Sequence, residues 1–312
     1  MDKTIAPLIA VIICTRNRPA SLVKTVQTIL RNDYPHFEIV VVDQSDDTAT
    51  KEVLAPFLET HRLKYLSMPT PGLAAGRNLG IQAAPKCEYI VITDDDCEVP
   101  PDWLKSVAEA FEVDSRIGIV FGNVIPAQHN STDGFIPGYE RDRPFLARGM
   151  NHKHHVEGVA GCMALRRTVW QVLEGFDEML GLGAPFLAGE EGDIAIRGLL
   201  ASYFVYETPV VHLVHNGFYA WHEGRSVVYR NWFGSGAMLV KHLKCSPWAM
   251  TPLLCRIAWR WAFARSRSAL ALGKHSYTLL RLRAFLHGAL LGVRVPVNKR
   301  NLQFERKPGT RC

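Results

Sequence analysis

Five short apolar runs, separated by segments of helical period, constrain what this 312-residue chain can fold into more than any other feature. They are Ile5 to Cys14, His36 to Asp43, Leu63 to Met68, Tyr89 to Ile92 and Ile117 to Gly122. Each is rich in β-branched or aromatic residues and short enough for a buried strand. Between the first two, Leu22, Val23, Val26, Ile29 and Leu30 recur at helical spacing behind Ser21, a helix-capping residue type. Helices are likewise predicted over 48–60, from the glycine-punctuated stretch Pro71 to Ile81, and over 102–111. Strands alternating with such helices mean βαβ units and a mainly parallel sheet. In sheets of this kind ligands bind beyond the carboxyl ends of the strands. Those ends carry Thr15 and Arg16, then Asp43, then Asp94, Asp95 and Asp96, which predicts that these residues converge on one crevice.

Three adjacent carboxylates ending a buried strand are costly, because like charges at close range oppose ionisation. A divalent cation relieves that cost. Mg²⁺ and Mn²⁺ prefer carboxylate oxygens and often share them with substrate phosphates. The stretch therefore predicts a metal–diphosphate site. The plainer reading is a solvated acidic turn leading into the helix near Pro101. Further on, Gly189-Glu-Glu-Gly-Asp193 opens an amphipathic run; its acids either complement a helix dipole or supply a general base. Residues 123–155 hold four histidines among prolines and glycines and read as a long loop, with His152, His154 and His155 in solvent. Residues 156–166 read as a strand whose glycines admit a substrate. A helix over 168–173 and a strand over 202–207 follow, and then Pro209 to His215, where His212 after an apolar pair reads as a satisfied core residue.

Charge divides the chain. Residues 1–224 hold 19 Lys and Arg against 29 Asp and Glu, whereas residues 225–312 hold 17 against Glu305 alone. A basic tail with Trp232, Trp248, Trp259 and Trp261 among arginines points to an anionic partner, and interfacial helices on a membrane surface fit it best. No nucleic acid is expected, since no recognised binding motif accompanies the charge. No apolar run is long enough to span a bilayer, and Met1-Asp2-Lys3 leads straight into the first strand without a signal-peptide pattern. Seven scattered cysteines with no CxxC pair predict a reducing, cytoplasmic setting.

Taken in order, the motifs resemble those of the family 2 glycosyltransferases, inverting enzymes of the glycosyltransferase-A fold. The resemblance covers about residues 7–240: Val11 to Arg18, Ile39 to Asp43, Gly72 to Ile81, Thr93 to Asp96, Gly161 to Arg167, Gly175 to Glu178, Gly189 to Asp193, and Val211-His212. It implies a catalytic domain with a nucleotide-sugar half (1–122) and an acceptor half (123–224); the charge shift alone ends that domain at 224, ahead of a basic helical extension over 225–312. It implies that Thr15, Arg16 and Asp43 line the nucleotide pocket, Arg77 holds the donor, and Asp94 and Asp95 serve the ribose and the metal region. Asp96 would bind Mg²⁺ or Mn²⁺, with His212 completing the metal shell and Gly161 to Met163 bordering the acceptor. Which two of the three acids form the Asp-x-Asp signature stays open. Glu191 would be the base that deprotonates an acceptor hydroxyl, with Asp193 as its rival. The donor would be a UDP-, GDP- or dTDP-sugar, and the acceptor a glycan or lipid-linked hydroxyl at the inner face of the cell membrane. Gln44 stands where the family often has a second Asp, and Glu190-Glu191 where it usually has Glu-Asp. Two other classes remain: a sugar-nucleotide-binding protein without turnover, and a sugar-phosphate nucleotidyltransferase, which residues 189–197 fit poorly.

Overall fold

The computed structural model describes residues 6–263 and 277–305, with side chains through residue 256 and again from residue 277. Trp259 and Trp261 lie outside the described side chains. Residues 1–5, 264–276 and 306–312, part of the basic tail among them, lie outside the described residues.

The first part alternates as the apolar runs predict: β1 (Ile9–Thr15), α1 (Pro19–Leu30), β2 (Phe37–Asp43), α2 (Ala49–Leu58), β3 (Leu63–Ser67), α3 (Leu73–Gln82) and β4 (Tyr89–Asp94). These strands lie parallel in the order β3-β2-β1-β4. Then come β5 (Cys97–Glu98), α4 (Trp103–Glu112), β6 (Ile117–Pro126), β7 (Gly134–Phe135), β8 (Phe145–Ala147), β9 (Met163–Arg166), α5 (Arg167–Val172), α6 (Glu190–Leu200), β10 (Phe204–His215) and β11 (Tyr219–Ala220). The sheet continues from β4 through β9, β6, β10 and β5, with β8 beside β10. β9 runs antiparallel between β4 and β6, whereas β6 and β10 are parallel to each other. The result is a mixed α/β architecture around a mostly parallel sheet.

Burial on both faces explains the near-continuous apolar strands. Ile9, Val11 and Ile13 of β1 face Leu22, Val26 and Ile29 of α1 and Trp103, Leu104 and Val107 of α4. Ala10 and Ile12, with Val40 and Val42 of β2, face Ala74 and Ile81 of α3 and Ile194, Ala195 and Leu199 of α6. Register then aligns the strand ends: Thr15 pairs with Asp43, and Cys14 with Asp94.

Three segments differ from the sequence reading. Residues 123–155, read as a loop, carry the end of β6, the short strands β7 and β8, and a 3-10 turn at Met150–His155. Only Met163–Arg166 of the run 156–166 is strand, and 3-10 turns precede it. A Cβ on Gly158 would collide with the Phe121 ring, so the glycine here serves close packing. The pieces 202–207 and 209–215 form one strand, β10, whose pairing with β6 shifts register between Thr208 and His212. Pro209 has no N–H to donate to the ladder, and a bulge absorbs it.

The chain closes with α7 (Gly224–Cys245), α8 (Pro247–Phe263), α9 (Thr278–Arg294) and a hairpin of β12 (Val297–Asn298) and β13 (Gln303–Phe304). The charge break at residue 225 thus falls inside α7. Phe304 returns to the first part of the chain, 4.7 Å from the Phe186 ring, and its N–H donates to Asp177 at 2.9 Å. α7 and α9 touch backbone to backbone. A Cβ on Gly288 would run into the carbonyl oxygen of Phe233, and one on Gly236 into that of Phe285. Gly288→Ala is expected to force the helices apart and cost about 1–3 kcal/mol, read as a lower urea midpoint at unchanged slope.

Candidate active site

Beyond the carboxyl ends of β1, β2 and β4 opens a cavity of 540 Å³. Thr15, Arg16, Arg18, Gln44, Arg77, Asp94, Asp95, Asp96, Gly161, Glu190, Glu191 and His215 line it, with Val227, Arg230 and Asn231 from α7. Residues more than 200 positions apart meet because β4, the start of α6 and α7 all reach the same rim.

The three acids of the β4 turn separate by role. Asp95 turns inward: it accepts a hydrogen bond from the Thr15 hydroxyl at 2.6 Å and pairs with Arg18 at 3.2 Å. Burial outweighs these contacts and pushes its carboxyl up to about 6. Asp94 and Asp96, two residues apart, converge: one oxygen of each lies, with the Cys97 sulfur, within 4.8 Å of the others. Arg18 reaches Asp96 at 2.9 Å, and His215 Nε2 stands 3.2 Å from Asp96 Oδ1. That buried oxygen nonetheless has no aligned hydrogen bond. Burial opposes ionisation of Asp96, but contact with His215 and Arg18 prevails and holds it below the usual range. Burial pushes Asp94 the other way, upward, against the pull of Arg77. Two convergent carboxylates, one with an unsatisfied buried oxygen, fit a hard divalent cation. Cys97 does not join the set, since burial keeps its thiol protonated.

On the facing wall, Gly189 adopts φ +99°, a left-handed conformation that favours glycine, and starts α6. Glu190 and Glu191 therefore stand in the first turn. Arg77 of α3, itself buried, donates to Glu190 at 2.8 Å and sits 3.7 Å from Asp94. Among the described residues no cationic side chain pairs with Glu191 at that distance. Burial and the charge of Glu190 push its carboxyl up to about 8.

Three sequence-predicted residues sit elsewhere. Asp43 does not line the cavity; its carboxylate accepts from Ser45 N–H and the Tyr65 hydroxyl at 2.9 and 2.8 Å, and Gln44 takes its place at the rim. His212 does not line it either, its ring bonding to the Val210 carbonyl. His215 does, because β10 pairs His215 opposite Cys97, beside Asp96. The clue was in the alternation: His215 lies on the same strand face as the buried Val211 and Leu213, whereas His212 lies on the other. Asp193 is fully buried behind the cavity. It accepts from Arg197 at 2.8 Å and from His242 at 2.7 Å and pairs with Lys241 at 2.5 Å, while Lys241 donates to Asp177 at 2.6 Å. Burial opposes its charge, but Arg197 and Lys241 hold it well below the usual carboxylate range. It is already ionised and fully engaged, so it is placed to join α6 to α7 and not to receive a proton. Gln44 is marked in the sequence only as a departure from the family's Asp; Arg18, His215 and the α7 residues are not singled out there, and for α7 no motif points to the cleft.

Residues 10–173, more than half of the chain, match the family model described as "Glycosyl transferase family 2". Glycosyltransferase GlyG of Streptococcus pneumoniae is 30% identical over 129 residues, which is 41% of this chain and 42% of that protein. Chondroitin synthase of Escherichia coli is 29% identical over 115 residues, 36% of this chain and 17% of that protein. The matched segments thus span less than half of these relatives. Among solved structures, a mannosyltransferase from Pyrobaculum calidifontis in complex with GDP-Man and Mn²⁺ superimposes with a TM-score of 0.62 at 20% identity, covering 93% of this chain and 88% of that one. S. aureus TarS 1–349 in complex with UDP-GlcNAc gives 0.60 at 14% identity, covering 90% and 81%.

The Asp193 cluster generates a stability test. Removing one partner of a buried ion pair strands the others, so Asp193→Ala is expected to cost about 3–5 kcal/mol in urea unfolding. Because its folded value is depressed, the stability that Asp193 contributes is fully present above the ordinary Asp range, about pH 4, and is lost as pH falls below it. The Ala variant should show less of this acid-dependent loss than the parent.

Proposed function

The chain belongs to glycosyl transferase family 2, and on that premise we propose that it moves a sugar from a nucleotide-diphosphate sugar to an acceptor hydroxyl, with inversion at the anomeric carbon. One observation carries this reading: Asp94, Asp96 and Glu191 line the same 540 Å³ cavity. Metal-binding and proton-accepting carboxylates therefore face one bound substrate pair.

Thr15, Arg16 and Gln44 border the nucleotide end, beyond β1 and β2. Solved relatives of the same fold hold GDP-Man and UDP-GlcNAc, which supports a nucleotide-sugar donor without selecting the base. Asp94 and Asp96 are the pair that would hold Mg²⁺ or Mn²⁺, with His215 in the role the sequence had suggested for His212. A bound divalent cation would neutralise charge building on the departing nucleoside diphosphate. Asp95 positions the turn through Thr15, and Arg18 is free to release its carboxylates and meet donor phosphates, since its side chain is half exposed. Gly161 leaves room beside Asp94: a Cβ there would come 2.9 Å from Asp94 Oδ2.

Glu191 takes the proton from the acceptor hydroxyl as that oxygen attacks the face opposite the leaving group. Arg77 engages Glu190 and leaves Glu191 available. Residues 1–224 supply this chemistry, and α7 completes the acceptor wall with Val227, Arg230 and Asn231. A glycan or lipid-linked hydroxyl fits an opening of this size and polarity.

Purified protein incubated with Mn²⁺ and a panel of nucleotide sugars and acceptors should give product. Glu191→Gln should lower kcat by ~10²–10⁴-fold while donor binding, read by calorimetry, persists. Transfer unchanged by both Glu191→Gln and Asp96→Asn would refute the assignment. The pH profile follows from the raised carboxyl. Only ionised Glu191 accepts a proton, so kcat/KM should climb with pH through about 8 and fall away below it. Glu190→Gln removes the neighbouring charge and should move that midpoint to lower pH.

A further inference from the structure

α9 presents a face that nothing in the described structure covers. Leu279, Leu282, Leu286, Leu290 and Val293 are 40–63% exposed. Their spacing of three or four residues gathers them into one stripe, about 80° wide at the α-helical repeat. The opposite side of the helix carries the buried Ala284, Gly288 and Gly292 that lie against α7. Along one flank of the stripe stand the exposed Arg283, His287 and Arg294, and the helix holds no acidic residue. α8 meets α9 in a cluster of Met250, Leu253 and Phe285, and exposes Trp248 at 88%.

We propose that this stripe rests on a membrane surface rich in anionic headgroups, with the leucines at the acyl boundary and Arg283 and Arg294 against lipid phosphates. An apolar strip edged by arginine is the pattern of a helix lying in the bilayer interface. No helix among the described residues is long and apolar enough to cross a membrane, so the contact is lateral. A second copy of the chain is the rival occupant. Pairing stripe to stripe would press together two segments that each hold 17 Lys and Arg against one acid over 225–312, and charge therefore favours the lipid. The inference does not depend on the sugar-transfer reading, because the stripe lies on α9, away from the residues that line the cavity.

Flotation of the full chain with vesicles tests it, using phosphatidylcholine alone and phosphatidylcholine mixed equally with phosphatidylglycerol. The chain should float with the mixed vesicles, less so at high salt, and stay behind with phosphatidylcholine alone. Leu286→Ser with Leu290→Ser should weaken binding on the order of tenfold, while turnover with a soluble acceptor, or donor hydrolysis, stays unchanged. Arg283→Glu with Arg294→Glu should abolish the preference for the anionic lipid. Failure of the parent chain to float with either vesicle overturns the proposal. So does sedimentation showing a dimer that the double Ser variant converts to monomer, which would give the stripe to a second copy.

Discussion

Crowding five carboxylates around one cleft is the constraint that the rest of this structure answers. Asp94, Asp95, Asp96, Glu190 and Glu191 all border one cavity, and like charges this close resist ionisation together. The fold distributes the strain unequally. Arg18 and His215 stabilise the charge on Asp96, Arg77 engages Glu190, and Thr15 steadies Asp95. What is left over falls on Glu191, whose carboxyl burial and the charge of Glu190 push up to about 8. Divided in this way, one acidic patch offers two distinct ends: Asp94 and Asp96, proposed to hold the cation, and Glu191, proposed to take the proton.

The sheet was legible in the sequence because its signal is local. Apolar strands with β-branched residues, spaced by helical repeats, set four parallel strands and the edge where their ends gather. Asp94 to Asp96 stood out as acids after an apolar strand, and the acids of Gly189 to Asp193 as a helix start; only the family resemblance singled out Glu191 among the latter. The rest depends on contacts that no local pattern encodes. Alternation puts His215 on the buried face of β10, but only the pairing of β10 with β5 brings it beside Asp96. Asp43 ends an apolar strand as a ligand residue would, and its hydrogen bond from the Tyr65 hydroxyl, 22 residues away, follows from no local pattern. The cleft-facing residues of α7 left no trace, because their importance comes from where the helix docks.

That docking adds buried charge to the apolar packing of Phe233, Ala237 and Leu239. Asp177, Asp193, Arg197 and Lys241 are buried together, two acids with two bases, where α6 and α7 meet. His242 completes the set with its ring held neutral, since burial disfavours the imidazolium despite Asp193. The cluster is therefore close to electroneutral. Buried pairs of this kind add little net stability, and their value lies in penalising any arrangement that separates the partners. They fix the angular position of the helix whose first turn carries Glu191, and they make the basic end of the chain structurally continuous with its acidic beginning.

The bare backbone contact between α7 and α9 has a mechanical corollary. Where Gly288 meets Phe233 and Gly236 meets Phe285, no side chain is interposed to yield, so the two helices have no play between them. Three residues before Phe233, Arg230 and then Asn231 reach into the cleft. The backbone of α9 thus buttresses the stretch of α7 that carries Arg230 and Asn231.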